Sequence, residues 1–289
     1  MAVKEVFNCE SVEDVVELLD KYTANAKVIA GGTDIIVAMK EKRMNPEVLI
    51  DISKIQELTN IESEKDKIIM GAATTFTQIV ENPTFKAEFY GLYKACRLVG
   101  APQIRNKGTI GGNIANNNSA ADSVPPLICL DAKLILESKE GTREVRLEDY
   151  YIDKENYGIK DNEFIKSIVF NRPKKNEVLT FAKLGLRKAL AISRITASAL
   201  IKLSDENIIE DIKVASGAIS KYPIREYEVE KFLQGKELNE ETIDEAVKII
   251  QEEMDNRLEG RSTLPYKRRA IESILKEVLF ERLNYEVKQ

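Results

Sequence analysis

The residues Val28, Ile29, Ala30, Gly31, Gly32, Thr33, Asp34 and Ile35 carry the first sign of chemistry. A short apolar run, read as a strand, meets a glycine pair and then the start of an apolar stretch. Paired glycines let backbone amides approach a ligand closely. The free N–H groups of a helix start face an anion, and together with the helix dipole they favour one by about 0.3–1 kcal/mol, more where partly buried. A pyrophosphate fits that chemistry. The segment is not a Walker A loop, because no Gly-Lys-Ser/Thr follows, nor a Gly-x-Gly-x-x-Gly fingerprint. Asp34 is ill suited to touch a phosphate, so its carboxylate is expected to cap the helix or to point away. The same residues would also serve an ordinary strand-to-helix turn.

A second candidate runs from Gly108 to Asp122 through Thr109, Ile110, Gly111, Gly112 and Asn113. Its small residues leave room for a bulky planar ligand. Gly111 and Gly112 could again offer amides, Thr109 and Asn113 could donate to phosphate or ring oxygens, and Asp122 could accept from ribose hydroxyls, the usual work of an acid in a nucleotide site. The alternative is an Asn/Gly loop whose side chains hydrogen-bond their own backbone. Taken as a pair, the two glycine-bearing segments suit a ligand with two phosphates and two ring systems.

Other chemistry is excluded. The chain has no histidine, so a Ser-His-Asp triad, a Cys-His pair and a histidine metal site are impossible. Its three cysteines, Cys9, Cys96 and Cys129, cannot complete a four-cysteine iron–sulfur site. An odd number of them fits a reducing compartment, and Cys96 and Cys129, set among apolar neighbours, read as core. Redox chemistry would therefore need an organic cofactor, with no catalytic side chain and no metal ligand. A net charge of −5 argues against nucleic acid as the main partner. No apolar run approaches a membrane span and the first residues lack a secretory core, so a cytoplasmic protein is expected.

The elements that must position these residues follow from periodicity. Ser11 and Asp14 form a capping-box pattern ahead of Val12, Val15 and Leu19. Residues 27–30, 48–52 and 68–72 read as strands, and 35–43 and 85–99 as helices. Residues 100–122 show neither period and read as loop. Residues 127–137 look strand-like, and Gly141 marks a hairpin into 143–147. A boundary near 171–176 separates residues 1–172 from 173–289, consistent with about two domains for 289 residues. Beyond it, strands at 181–186, 196–203 and 208–220 precede helices at 226–233, 239–254 and 266–285, which suggests an antiparallel sheet with helices on one face.

The blocks Ala30-Gly31-Gly32-Thr33-Asp34, Gly71 to Thr77, Pro102 to Asn106, Thr109 to Asn113 and Asp122 occur in series. In that order and spacing the chain resembles the FAD-binding subunits of xanthine dehydrogenase and its relatives, among them nicotinate dehydrogenase and carbon monoxide dehydrogenase flavoproteins. The resemblance runs from near the N-terminus to about Arg269. It implies an α+β fold: a two-subdomain FAD-binding domain of the PCMH or vanillyl-alcohol-oxidase type, then a smaller α+β domain with an antiparallel sheet and helices. It implies noncovalent FAD, since no histidine can tether it. The resemblance places the pyrophosphate between residues 28–35 and 109–113, an acid beside the ribose and ring at Asp122, an apolar residue on the flavin at Ile165, a lysine near it at Lys183, and a further contact at Gly100. No role is assigned to Arg187 through Ala191. The cysteines of relatives that carry an inserted 4Fe–4S cluster are missing, and an aromatic residue found near the flavin in some relatives would fall near Val99, which is aliphatic. The resemblance implies electron transfer from 2Fe–2S clusters on a small subunit to FAD and on to NAD or another acceptor. The substrate, a purine in the first instance, is hydroxylated on a large molybdopterin subunit. Alternatives are a nicotinate or carbon monoxide dehydrogenase-type flavin subunit, and a stand-alone FAD reductase or oxidase of the same fold.

Overall fold

The computed structural model describes residues 3–187 and 192–283. The expected helix end at 284–285 and residues 188–191 lie outside them. Along the chain, β1 (Glu5–Asn8), α1 (Val12–Tyr22), β2 (Ala26–Ile29), α2 (Ile35–Lys40) and β3 (Val48–Asp51) come first. They are followed by α3 (Gln56–Thr59), β4 (Ile61–Ser63), β5 (Lys67–Gly71), α4 (Phe76–Glu81), α5 (Pro83–Glu88), α6 (Tyr90–Arg97), α7 (Pro102–Arg105), α8 (Ile110–Ala115) and α9 (Val124–Cys129). Then come β6 (Lys133–Ser138), β7 (Gly141–Arg146), α10 (Leu147–Ile152), α11 (Lys154–Tyr157), β8 (Phe164–Asn171), β9 (Glu177–Gly185), β10 (Ser193–Leu203), β11 (Ile209–Gly217) and β12 (Ile224–Arg225). The last elements are α12 (Tyr227–Leu233), α13 (Glu240–Arg257) and α14 (Leu264–Leu283).

Two compact units result, the first from residues 1–79, 101–116 and 132–171, the second from 80–100, 117–131 and 172–289. The first unit holds a parallel three-stranded sheet in the order β1-β3-β2 and an antiparallel five-stranded sheet in the order β4-β5-β8-β6-β7. The capping box forms: the Asp14 amide donates to Ser11 Oγ at 3.1 Å and the Ser11 amide donates to Asp14 Oδ2 at 3.0 Å. It launches α1 with Val12, Val15 and Leu19 facing a core that includes Val48 and Ile50 of β3.

The second unit is built on an antiparallel sheet in the order β12-β11-β10-β9. Ala182 on β9 and Ile195, Ala197, Ala199 and Ile201 on β10 pack with Val229, Ile250, Leu275 and Leu279 of α12–α14. The period of two then sends Leu179, Phe181 and Lys183 to the other face. That face is covered too. Gly91 of α6 lies against Leu179, where a Cβ would stand 2.9 Å from Leu179 Cγ, and α9 packs on β10 and β11. The expectation of helices on one face fails because α6 and α9 come from the stretch before residue 131, which sequence order assigned to the other half.

Four further expectations are corrected. The helix read over 85–99 is two helices, broken at Phe89, whose φ of −121° and ψ of 47° are not helical. The loop read over 100–122 contains α7 and α8, too short to show a period. The strand-like run from 127 begins in α9, started by Pro125 and Pro126 in its first turn, with β6 following. The helix at Ile35 stops at Lys40, because Lys42 takes a left-handed φ of 58°.

Candidate functional site

In the first unit the glycine turn after β2 lies directly against the backbone before α8. A Cβ built on Gly31 would stand 1.7 Å from the Lys107 carbonyl oxygen, so only glycine permits this approach. Gly32 adopts φ 71°, the left-handed region. Among the described residues, none of the backbone N–H groups from Gly31 to Ile35 finds an acceptor. Successive unpaired amides at a strand–turn–helix junction form a concavity suited to an anion. Asp34 stands at the N-cap position but makes no capping bond. Its φ of −109° and ψ of −47° fall in the α region, whereas a capping side chain needs an extended backbone. Its carboxylate turns aside and accepts from Thr33 Oγ1 and Asn116 Nδ2, each at 3.0 Å.

The second segment uses its amides internally. Ile110 N–H donates to the Thr74 carbonyl at 3.0 Å and Gly111 N–H to the Ala72 carbonyl at 2.9 Å. Gly112 N–H donates to Thr109 Oγ1 at 3.1 Å, the N-cap bond of α8. The amides expected to stand free at Gly111 and Gly112 are therefore taken. Gly111 is a packing glycine, since a Cβ there would come 2.5 Å from Ala72 Cβ. Gly112 is exposed, and a Cβ there would meet only the Thr109 hydroxyl, at 2.9 Å. Asn113 is half-buried beside it. The Gly31–Lys107 contact and the Asp34–Asn116 bond make the two predicted segments neighbours within this unit. Ile165 is buried on β8, a strand that packs against α8, and lies opposite Leu136 at a β-bulge.

The second unit gathers the remaining predicted residues. Lys183 Nζ meets Asp122 Oδ2 at 2.5 Å and the Leu98 carbonyl at 3.1 Å. Gly100, two residues after Leu98, has φ 45°. Ser193 Oγ donates to the other carboxylate oxygen, Asp122 Oδ1. Asp122 is 6% exposed. Burial pushes its carboxyl up, while the Lys183 charge and the Lys183 and Ser193 hydrogen bonds oppose that rise. Burial likewise pushes up the thiol of Cys96, which sits fully buried near this carboxylate. Sequence reasoning missed Ser193 and Lys107, and gave no individual role to Asn116 and Ala72 inside the segments it singled out. No local pattern states what they do, because each matters through a partner distant in the chain. Among the described residues no cluster of acids and cysteines could hold a metal.

A family model for the FAD binding domain in molybdopterin dehydrogenase matches residues 2–173. The chain belongs to this family. A second model, for the CO dehydrogenase flavoprotein C-terminal domain, matches residues 180–281. The nicotinate dehydrogenase FAD-subunit of Eubacterium barkeri is 33% identical, covering 97% of this chain and 96% of the relative. The xanthine dehydrogenase FAD-binding subunit of Escherichia coli O157:H7 is 29% identical over 94% and 93%. Among solved structures, a chain of reconstituted CO dehydrogenase from Oligotropha carboxidovorans superimposes with a TM-score of 0.89 at 27% identity, covering 98% of this chain and 97% of that one. The α+β architecture expected from the resemblance is thereby met. So is the assignment to the oxidoreductase flavin subunits of molybdenum hydroxylases. No helix among the described residues is long and apolar enough to cross a membrane.

Proposed function

We propose that this chain binds one FAD noncovalently and passes electrons through it as part of a molybdenum hydroxylase. Its partners are a small 2Fe–2S subunit and a large molybdopterin subunit, and NAD or another acceptor receives the electrons. The unpaired amides from Gly31 to Ile35 carry the reading. They match a pyrophosphate, and the side-chain-free face at Gly112 lies on the neighbouring segment. Val28 to Ile35 and Thr109 to Asn113 would hold the pyrophosphate, and Ile165, Gly100, Asp122 and Lys183 would contact the ring and ribose. Bound FAD would supply the electron exchange, and the chain's own part is orientation and electrostatics. A purine or related N-heterocycle is the proposed substrate class of the complex, supported by relatives whose names carry xanthine and nicotinate. The 33% identity to the nicotinate dehydrogenase subunit favours nicotinate as the second reading. A cytoplasmic location is proposed from the sequence alone.

The test is to purify the chain, record its visible spectrum, and identify what denaturation releases. A yellow protein yielding about one FAD per chain is expected. A colourless protein that also takes up no added FAD would return the glycine turns to a structural role. Pull-down from the source cell should then recover molybdenum- and iron-containing subunits.

A further inference from the structure

β10 contains a bulge at its start. Ser193 pairs with Gly185 and Ile195 with Leu184, so Arg194 is the extra residue. In a regular strand Ser193 and Ile195 would share a face, and Ile195 faces the core under α12–α14. Instead the Ser193 hydroxyl reaches Asp122 on the opposite face, where Lys183 also points. Bulges re-aim single side chains in this way and recur beside functional sites.

An ammonium has three N–H donors. Lys183 gives one to Asp122 and one to the Leu98 carbonyl. The third has no acceptor among the described residues, although the side chain is only 9% exposed. A buried donor without an acceptor is costly, so an acceptor beyond the described residues is called for.

Building on the FAD reading above, we infer that Ser193 is a positioning residue for the cofactor: with Asp122 it holds Lys183 so that the third N–H of the ammonium meets an acceptor atom of FAD. The acceptor is a ring oxygen or nitrogen, or a ribose hydroxyl. The three side chains act as one unit. Removing the Ser193 hydroxyl leaves Asp122 with a single donor, raises its carboxyl further, and loosens the lysine. The groups facing the carboxylate are Lys183 from β9, Ser193 from β10 and the thiol of Cys96 from α6.

The experiment compares the full-length chain with Ser193→Ala and Ser193→Thr. It measures FAD dissociation constant, midpoint potential of the bound FAD, and the pH at which acidification releases it. Ser193→Ala is expected to weaken FAD about tenfold, the size of one hydrogen bond to a charged group, and to shift acid release upward by about one pH unit. Ser193→Thr, which keeps the hydroxyl, should restore both. A lowered midpoint potential would assign the lysine's acceptor to the flavin ring, and an unchanged potential with weakened binding would assign it to the ribose. If Ser193→Ala alters only thermal stability, with affinity, potential and acid release all as in the parent, the inference is wrong while the FAD reading stands. A parent chain that binds no FAD overturns both.

Discussion

The two glycine segments of the first unit look alike in sequence and do different work. Gly31 and Gly32 sit in a turn whose amides, through Ile35, point at nothing in the described chain. Gly111 and Gly112 sit in the first turn of α8, with amides bound to the Ala72 carbonyl and the Thr109 hydroxyl. The first segment keeps donors in reserve for an anion. The second is self-satisfied and contributes the absence of side chains. A glycine pair in sequence thus says that backbone comes close to something; only the partner of each N–H says whether that something is ligand or fold.

The comparison breaks most visibly at Gly31. Replacing it with alanine drives a Cβ into the Lys107 carbonyl, 1.7 Å away, and backbone cannot yield as a flexible side chain would. A loss on the order of 3 kcal/mol is expected, seen as a fall in denaturation midpoint together with loss of bound FAD. A Gly31→Ala protein as stable as its parent would mean the turn is not packed against residues 107–108.

The pair Gly111 and Gly112 sharpens the contrast next. Gly111→Ala meets Ala72 Cβ at 2.5 Å, and overpacking of that kind costs about 1–3 kcal/mol. Gly112→Val faces open surface apart from the Thr109 hydroxyl. It should cost no more than the N-cap it crowds, about 1 kcal/mol, and abolish FAD binding. Full flavin occupancy in Gly112→Val would remove this face from the binding site.

Much of this was legible in the chain before any coordinates. The capping box at Ser11 and Asp14, the hairpin at Gly141 and the long helices α13 and α14 each rest on local pattern, and local pattern survives folding. What escaped reading was tertiary. α8 has six residues, too few for a helical period, and exists because Thr109 caps it and Ala72 and Thr74 accept its first amides. α6 and α9 cover a sheet whose strands begin more than forty residues later in the chain. Asp122 and Lys183 could each be named from the resemblance, but their pairing depends on how the segment before α9 meets β9, and the bulge that turns Ser193 onto the same carboxylate depends on register between β9 and β10. A register is a property of two strands, and no single stretch of sequence states it.

Thr109 tests whether the second segment's amides are structural. Thr109→Val keeps shape and removes the oxygen that accepts from Gly112. The cost should be about 1 kcal/mol, the usual loss for an N-cap. FAD affinity should fall only slightly, because the freed Gly112 amide becomes a potential phosphate donor. A large loss of affinity at unchanged stability would instead put the hydroxyl on the ligand.

The smallest effect is expected at Asp34, and it probes the reserve of amides in the first segment. Asp34→Asn retains one of the two oxygens, Oδ1 that accepts from Asn116 or Oδ2 that accepts from Thr33, while removing a negative charge beside the unpaired N–H groups. If those groups serve an anion, the charge opposes it. FAD should then bind about twofold to fivefold tighter in the variant at low ionic strength, with the gain fading as salt screens the exposed site. Titrating FAD into the two proteins at low and high salt checks both the sign and the screening. An unchanged affinity at low salt would mean that the pyrophosphate lies away from this turn, and the free amides from Gly31 to Ile35 would need another occupant.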